Sequence, residues 1–185
     1  MSDQGHILLP LARAAIAREL GITPATAEPA TAADWLRQPG SAFVTLKRDG
    51  HLRGRNGTLS PIRSLREDVI ANAVAAAFRD LRFKPLAASE LDNTLIEVSV
   101  LSALENLAAN SEAAVLARLR AGIDGVAFRY GHHRSTFLPE TWSQYPEPAE
   151  FMAQLKYKAG LPPDFWDAAV ELHRYTVDCW REPGI

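Results

Sequence analysis

Apolar residues recur at helical spacing near the start of the chain. Ile7, Leu8, Leu11, Ala15, Ile16 and Leu20 share one face and Gly21 follows as a stop, so a helix is predicted over 7–20. Asp34 to Arg37 reads as a short helix that "QPG" ends. Ala42 to Lys47 then alternates loosely, Asp49-Gly50 matches a two-residue hairpin turn, and His51 to Gly54 returns as the second strand. Ser64, with Glu67 three positions on, forms a capping box. A stripe of Val69, Ile70, Ala73, Val74, Ala77 and Phe78 continues that helix. In "NTLIEVSVLS", Ile96, Val98 and Val100 point one way, and Leu95, Glu97, Ser99 and Leu101 the other. Ser111 caps a helix expected to run through Arg120. "GVAFRYGHHRSTFLP" is a second hairpin, turning near Gly131 to His133. A helix starts near Pro148 and ends at Gly160, "DFWDAAVELHR" reads as a further helix, and "YTVDCW" as a final strand.

Helices and antiparallel hairpins are interspersed without a βαβ rhythm, which predicts an α+β fold with flanking helices. The 185 residues suit one domain or two small lobes sharing a core. Residues 22–33, rich in Pro, Thr and Ala, are expected to form a flexible loop.

Composition narrows the function classes. The net charge of -2 argues against a general nucleic-acid binder. No apolar run approaches the ~20 residues of a membrane span, and the start of the chain lacks the basic and cleavage features of a signal peptide. Cys179 is the single cysteine, which excludes an intrachain disulfide and a cysteine zinc site and suits a reducing cytoplasm. A small buried hydrophobe is the expectation for that thiol.

The stretch "HLRGRNGTLSP", His51 to Pro61, carries the densest chemistry. Gly54 and Gly57 permit positive φ or the close approach of another backbone or a ligand. Lys47, Arg48, Arg53, Arg55, Arg63 and Arg66 surround them, with Asp49 as the only acid in that window. Exposed amides in such turns form anion-binding nests, and the helix after Ser64 adds a positive dipole end if it points into the same space. A phosphate or carboxylate site is one reading, and a glycine-rich strand exit with solvated arginines is the other. The P-loop and dinucleotide patterns are absent.

The order of "PGSAFVTLKRDGHLRG", "GTLSP", "AVAAAFRDLRFKPL", "IEVSVLSALE", "RSTFLPETW" and "FMAQLKYKAGLP" resembles the AMMECR family, whose bacterial and archaeal members are called AmmeMemoRadiSam system protein A. The resemblance spans residues 7–182 and implies a single α+β domain of two unequal lobes with a cleft between them. It implies encoding beside Memo-like and radical S-adenosylmethionine proteins as possible partners, and no established activity. The family signature L-R-G-C-I-G-T is matched at Leu52, Arg53, Gly54, Gly57 and Thr58, while Arg55 and Asn56 replace its cysteine and isoleucine. Guanidinium stays protonated, so a thiol nucleophile is excluded at that position while an anion site is strengthened. Ser135 stands where the family usually has glycine.

These readings give a ligand-binding set of Arg53, Gly54, Arg55, Asn56, Gly57 and Thr58, with Glu97 and Arg134 as second-tier members, for a phosphorylated or nucleotide-like molecule. If its face borders the cleft, Glu97 pairs with Arg53 or Arg55 or acts as a general base; the other reading is a solvent-facing carboxylate. His132 and His133 are expected to be solvated turn residues without metal, and Lys156 and Lys158 a solvated helix face. Asp80 and Arg82 suit an ion pair or cap. The alternative function is a non-catalytic protein-interaction module for the Memo-like and radical S-adenosylmethionine partners.

Overall fold

The structure is a computed structural model that describes residues 4–23, 33–107 and 111–183. The expected loop at 22–33 therefore lies largely outside the described residues. The chain divides into two compact units, one of residues up to 101 together with 178 onward, the other of residues 102–177.

In the first unit, α1 (Gly5–Glu19) and α3 (Leu65–Phe78) pack on one face of a sheet ordered β2-β1-β3-β8, with the short α2 (Asp34–Arg37) beside α3. The hairpin of β1 (Ala42–Arg48) and β2 (His51–Gly57) turns at Asp49 and Gly50, both at positive φ as a primed turn requires. Ser64 and Glu67 form the capping box predicted for α3. Ala42, Val44 and Leu46 of β1 face the helices with Ile96 and Val98 of β3 (Leu95–Leu101). Phe43, Thr45 and Lys47 therefore point to the opposite face with Ser99, Glu97 and Leu95. The last strand, β8 (Val177–Arg181), pairs with β3 through bonds from Ser102 N to Thr176 O and Glu182 N to Ile96 O.

The second unit holds a sheet ordered β4-β7-β5-β6. Its strands are β4 (Glu105–Asn106), β5 (Gly125–Tyr130), β6 (His133–Phe137) and β7 (Glu171–Tyr175), with helices α4 (Glu112–Leu116) and α5 (Pro148–Lys158). Trp142 stacks on Phe151 of α5 at 3.9 Å between ring centroids, in a core with Val126, Phe128 and Leu172.

Four expectations need correction. "DFWDAAVELHR" forms no helix, and its end becomes β7, which hydrogen-bonds to β4 on one side and β5 on the other. Pairing on both edges and burial of Leu172 and Tyr175 outweigh the segment's helical spacing. The helix after Ser111 ends at Leu116, short of Arg120, whose amide and guanidinium instead bind Asp124. Cys179 is exposed. Lys156 is only 1% exposed, its Nζ donating to Glu112 Oε1 at 2.8 Å and Phe165 O at 3.1 Å. A helix face counted as solvated is thus closed by an ion pair, its lysine buried and its glutamate half-buried, that sequence spacing does not bring together. No helix among the described residues is long and apolar enough to cross a membrane.

Candidate functional site

The glycine pair is the starting point. Neither Gly54 nor Gly57 adopts positive φ, and the segment is a strand, not a turn. Close approach is what each provides. A Cβ on Gly54 would sit 2.1 Å from the carbonyl oxygen of Ala76, so α3 rests directly on β2 there. A Cβ on Gly57 would sit 2.1 Å from the Phe43 ring, which lies across the strand. The neighbour is the protein itself in both cases.

The arginines are answered by acids that a local window does not contain. A bulge between Leu46 and Lys47 leaves Arg53 as the extra residue of β2. Its guanidinium, 14% exposed, grips Glu90 through Nε and Nη2 at 2.9 Å each and lies 5.9 Å from the Phe83 ring centroid. Arg48 Nη1 donates to the same carboxylate at 3.0 Å, and the Ala87 amide donates to it at 2.9 Å. The Arg53 guanidinium, then the Ala87 amide, hold the Glu90 carboxyl at about 2, below its ordinary 4.5. Asp80 accepts from the Arg55 amide at 2.9 Å, and Arg82, the larger influence, binds both its oxygens. Its carboxyl is accordingly held well below the usual range. The outward N–H of Arg55 thus already holds an anion, the chain's own.

Thr58 belongs to a buried polar network. Asp68, fully buried, accepts from Arg63 Nε and the Ala42 amide at 2.8 Å and from Asn72 Nδ2 at 3.0 Å. Asn72 also reaches Thr58 Oγ1 at 3.1 Å. The network ties the exit of β2 to the first turns of α3. Asp68 and Asn72 are i,i+4 neighbours within the predicted helix, and that polar pair beside an apolar stripe was the available signal.

A different grouping emerges on the helix-free face of the first sheet. Cross-strand register places Arg55, Thr45 and Glu97 in one row over β2, β1 and β3. Glu97 is only 7% exposed, and it accepts from Lys47 Nζ at 2.7 Å and pairs with Arg181 Nε at 3.1 Å. Its partners are therefore Lys47 and Arg181 rather than Arg53, whose partner is Glu90. Arg55 stacks at 5.9 Å from the Phe43 ring centroid on the same face. Thr45 and Ser99 add shielded hydroxyls. Lys47 and Arg181 thus bracket one carboxylate, and Arg55 lies two strands away in its row. Alternation in β1 pointed to Lys47, whereas Arg181 is 84 positions from Glu97 and nothing local in the sequence links them.

The remaining candidates fall elsewhere. Asn56 pairs with Val44 and shares the helix-packed side. Arg134 is exposed on β6 of the second unit, opposite Arg129. His133 Nδ1 lies 2.9 Å from Ala159 O, and Ser135 Oγ donates to Leu155 O at 2.6 Å, fastening β6 to α5. Among the described residues, no cluster of three or more His, Cys, Asp or Glu is placed to hold a metal ion.

A family model described as AMMECR1 matches residues 9–180. A protein of Methanothermobacter thermautotrophicus is 36% identical over 184 residues, spanning 98% of this chain and 96% of its own length. Protein MJ0810 of Methanocaldococcus jannaschii is 36% identical over 144 residues, 76% of this chain and 72% of its own. The crystal structure of the uncharacterized protein PH0010 from Pyrococcus horikoshii superposes with a TM-score of 0.88 at 31% identity, covering 98% of this chain and 93% of that one.

Proposed function

The chain belongs to the AMMECR1 family, and from that premise we propose that the helix-free face of its first sheet binds a small anionic ligand, phosphorylated or nucleotide-like. The observation that carries this reading is Lys47, Arg55 and Arg181 on the same sheet face as Glu97, Lys47 and Arg181 bonded to its carboxylate and Arg55 two strands away in its row. Glu97 orders Lys47 and Arg181, two long side chains that would otherwise sample many rotamers, and two cations beside one carboxylate favour an incoming anion. Thr45 lies in the row between Arg55 and Glu97, and Ser99 in the next row on that face. Arg53, Gly54 and Thr58 support the strand from behind, through Glu90, Ala76 and Asn72.

Calorimetric titration with pyrophosphate and a nucleoside monophosphate tests the reading. Binding is expected to weaken with added salt, and Lys47→Ala and Arg55→Ala are each expected to weaken it by about tenfold, the loss of one charge-assisted contact. Arg55→Cys, which restores the family signature, has the same expected direction. Arg53→Ala lowers the melting temperature while leaving affinity within about twofold, since its partner is Glu90. Absence of binding by both probes, or loss of binding in Arg53→Ala alone, overturns the assignment.

A further inference from the structure

The second sheet carries a charge pattern of its own. In the hairpin of β5 and β6, Arg129 stands directly opposite Arg134, and β7 places Glu171 on the other side of Arg129. His133 and Ser135 fasten β6 to α5, so Arg134 and Arg129 point to the helix-free face. Lys158 Nζ donates to Thr136 O, so the backbone groups of Thr136, and by alternation those of Arg134, turn away from β5. Arg129 and Arg134 are therefore a non-hydrogen-bonded pair, the kind whose side chains stand closer together. Glu171 is the acid of this row, and the neighbouring row of Thr136, Ala127, His173 and Asn106 holds none. Asp167, the next acid along β7's approach, is turned to the Ala169 amide.

Like charges set directly opposite each other cost stability unless something neutralises them. Glu171 does so for one of the two. It meets Arg129 through a single nitrogen, Nη2, which lies 2.7 Å from both carboxylate oxygens, and this leaves Nε and Nη1 as donors. Arg134 is exposed and makes no hydrogen bond or ion pair among the described residues. Its whole guanidinium fork is open. A phosphate group answers both side chains at once, because its terminal oxygens accept the fork of Arg134 and a further bond from Arg129, whereas the two oxygens of a carboxylate are filled by one fork. We infer that the Arg129–Arg134 pair on the helix-free face of the second sheet is a binding site for the phosphate group of a small molecule. This goes beyond the anion-binding face of the first sheet, because it shares no residue with the rows around Thr45 and does not depend on them.

Inorganic phosphate is the probe, with acetate as the comparison at equal ionic strength. In the arginine Nε–Hε NMR spectrum, phosphate is expected to shift the Arg134 and Arg129 signals saturably, and acetate to bind there at least about tenfold more weakly. Arg134→Thr is expected to weaken the phosphate response of Arg129 by about tenfold, the loss of one charge-assisted contact. In phosphate-free buffer of low ionic strength the same variant is expected to melt about 1–2 °C above the parent, since the like-charge contact is gone. Added sodium chloride is expected to erase that gain. Arg134→Lys keeps the charge without the fork, so it is expected to keep the parent's melting temperature and bind phosphate more weakly. Lys47→Ala is expected to leave the Arg134 and Arg129 shifts in place, which separates this site from the first sheet. Absence of shifts at the two arginines, an equal response to acetate, or undiminished binding in Arg134→Thr overturns the inference. A melting temperature that fails to rise in Arg134→Thr does the same, because the pair then holds no repulsion for a ligand to relieve.

Discussion

Gly54 and Gly57 are alike in sequence and different in what excludes a side chain. At Gly54 the obstacle is the Ala76 carbonyl oxygen, part of the α3 backbone, and yielding would mean lifting a helix from the sheet. At Gly57 it is the Phe43 ring, which can rotate about its own χ angles. Gly54→Ala is therefore expected to cost at least about 3 kcal/mol, at the upper end of overpacking penalties, and Gly57→Ala about 1 kcal/mol. Urea denaturation of the two variants checks the order, and equal costs would show that α3 has room to move. The G-x-x-G spacing showed that something approaches the strand at these positions. It could not show that the visitor is the chain's own helix and ring, because Ala76 and Phe43 arrive from other elements.

Elements were legible where the signal is local. The Asp49-Gly50 hairpin, the Ser64–Glu67 capping box, the alternation of β3 and the Gly160 stop each rest on residues within a few positions of one another. The segment ending in β7 was not, since its strand state comes from β4 and β5 on either side. The charge of the β2 region failed for the same reason. Six cations near one acid looked like an open basic patch, yet Glu90, Asp68 and Glu97 come in from later elements to meet Arg53, Arg48, Arg63 and Lys47. This pairing has a pH signature. The folded Glu90 carboxyl titrates at about 2 against an ordinary 4.5, so its depressed value adds stability that is full above about 4.5 and lost as pH falls toward 2. Glu90→Gln is expected to be less stable than the parent at neutral pH and to lose less stability between those limits. Urea unfolding measured from pH 6 to pH 2 checks this, and parallel profiles for the two proteins would show that Glu90 contributes nothing to the acid slope.

On the scale of the whole molecule, the first unit is discontinuous. Its sheet takes β1, β2 and β3 from before residue 102 and β8 from the far end of the chain, so the entire second unit lies between neighbouring strands. Closing so long a loop opposes the β3–β8 pairing entropically, and the return strand needs specific fastening. Glu182 supplies it. One carboxylate accepts from Arg13 on α1 at 2.6 and 2.5 Å and from the Ile96 amide at 2.8 Å, while the Glu182 amide donates to Ile96 O. Arg13 also reaches Leu91 O and Thr94 O, so helix, sheet and the segment before β3 meet at this point. Glu182→Ala leaves a half-buried guanidinium and a strand amide without their carboxylate, at an expected cost of about 2–3 kcal/mol. The loss should be uneven. Hydrogen exchange is expected to speed up at β1 and β3 amides while β5 and β7 amides keep their protection, because the contacts removed all belong to the first unit. Uniform loss of protection in both units would mean that they unfold as one, and the fastening would then serve the whole chain. Arg181 sits one residue before Glu182, so the same variant should also loosen the cation beside Glu97 and weaken pyrophosphate binding, linking closure of the sheet to the chemistry of its open face.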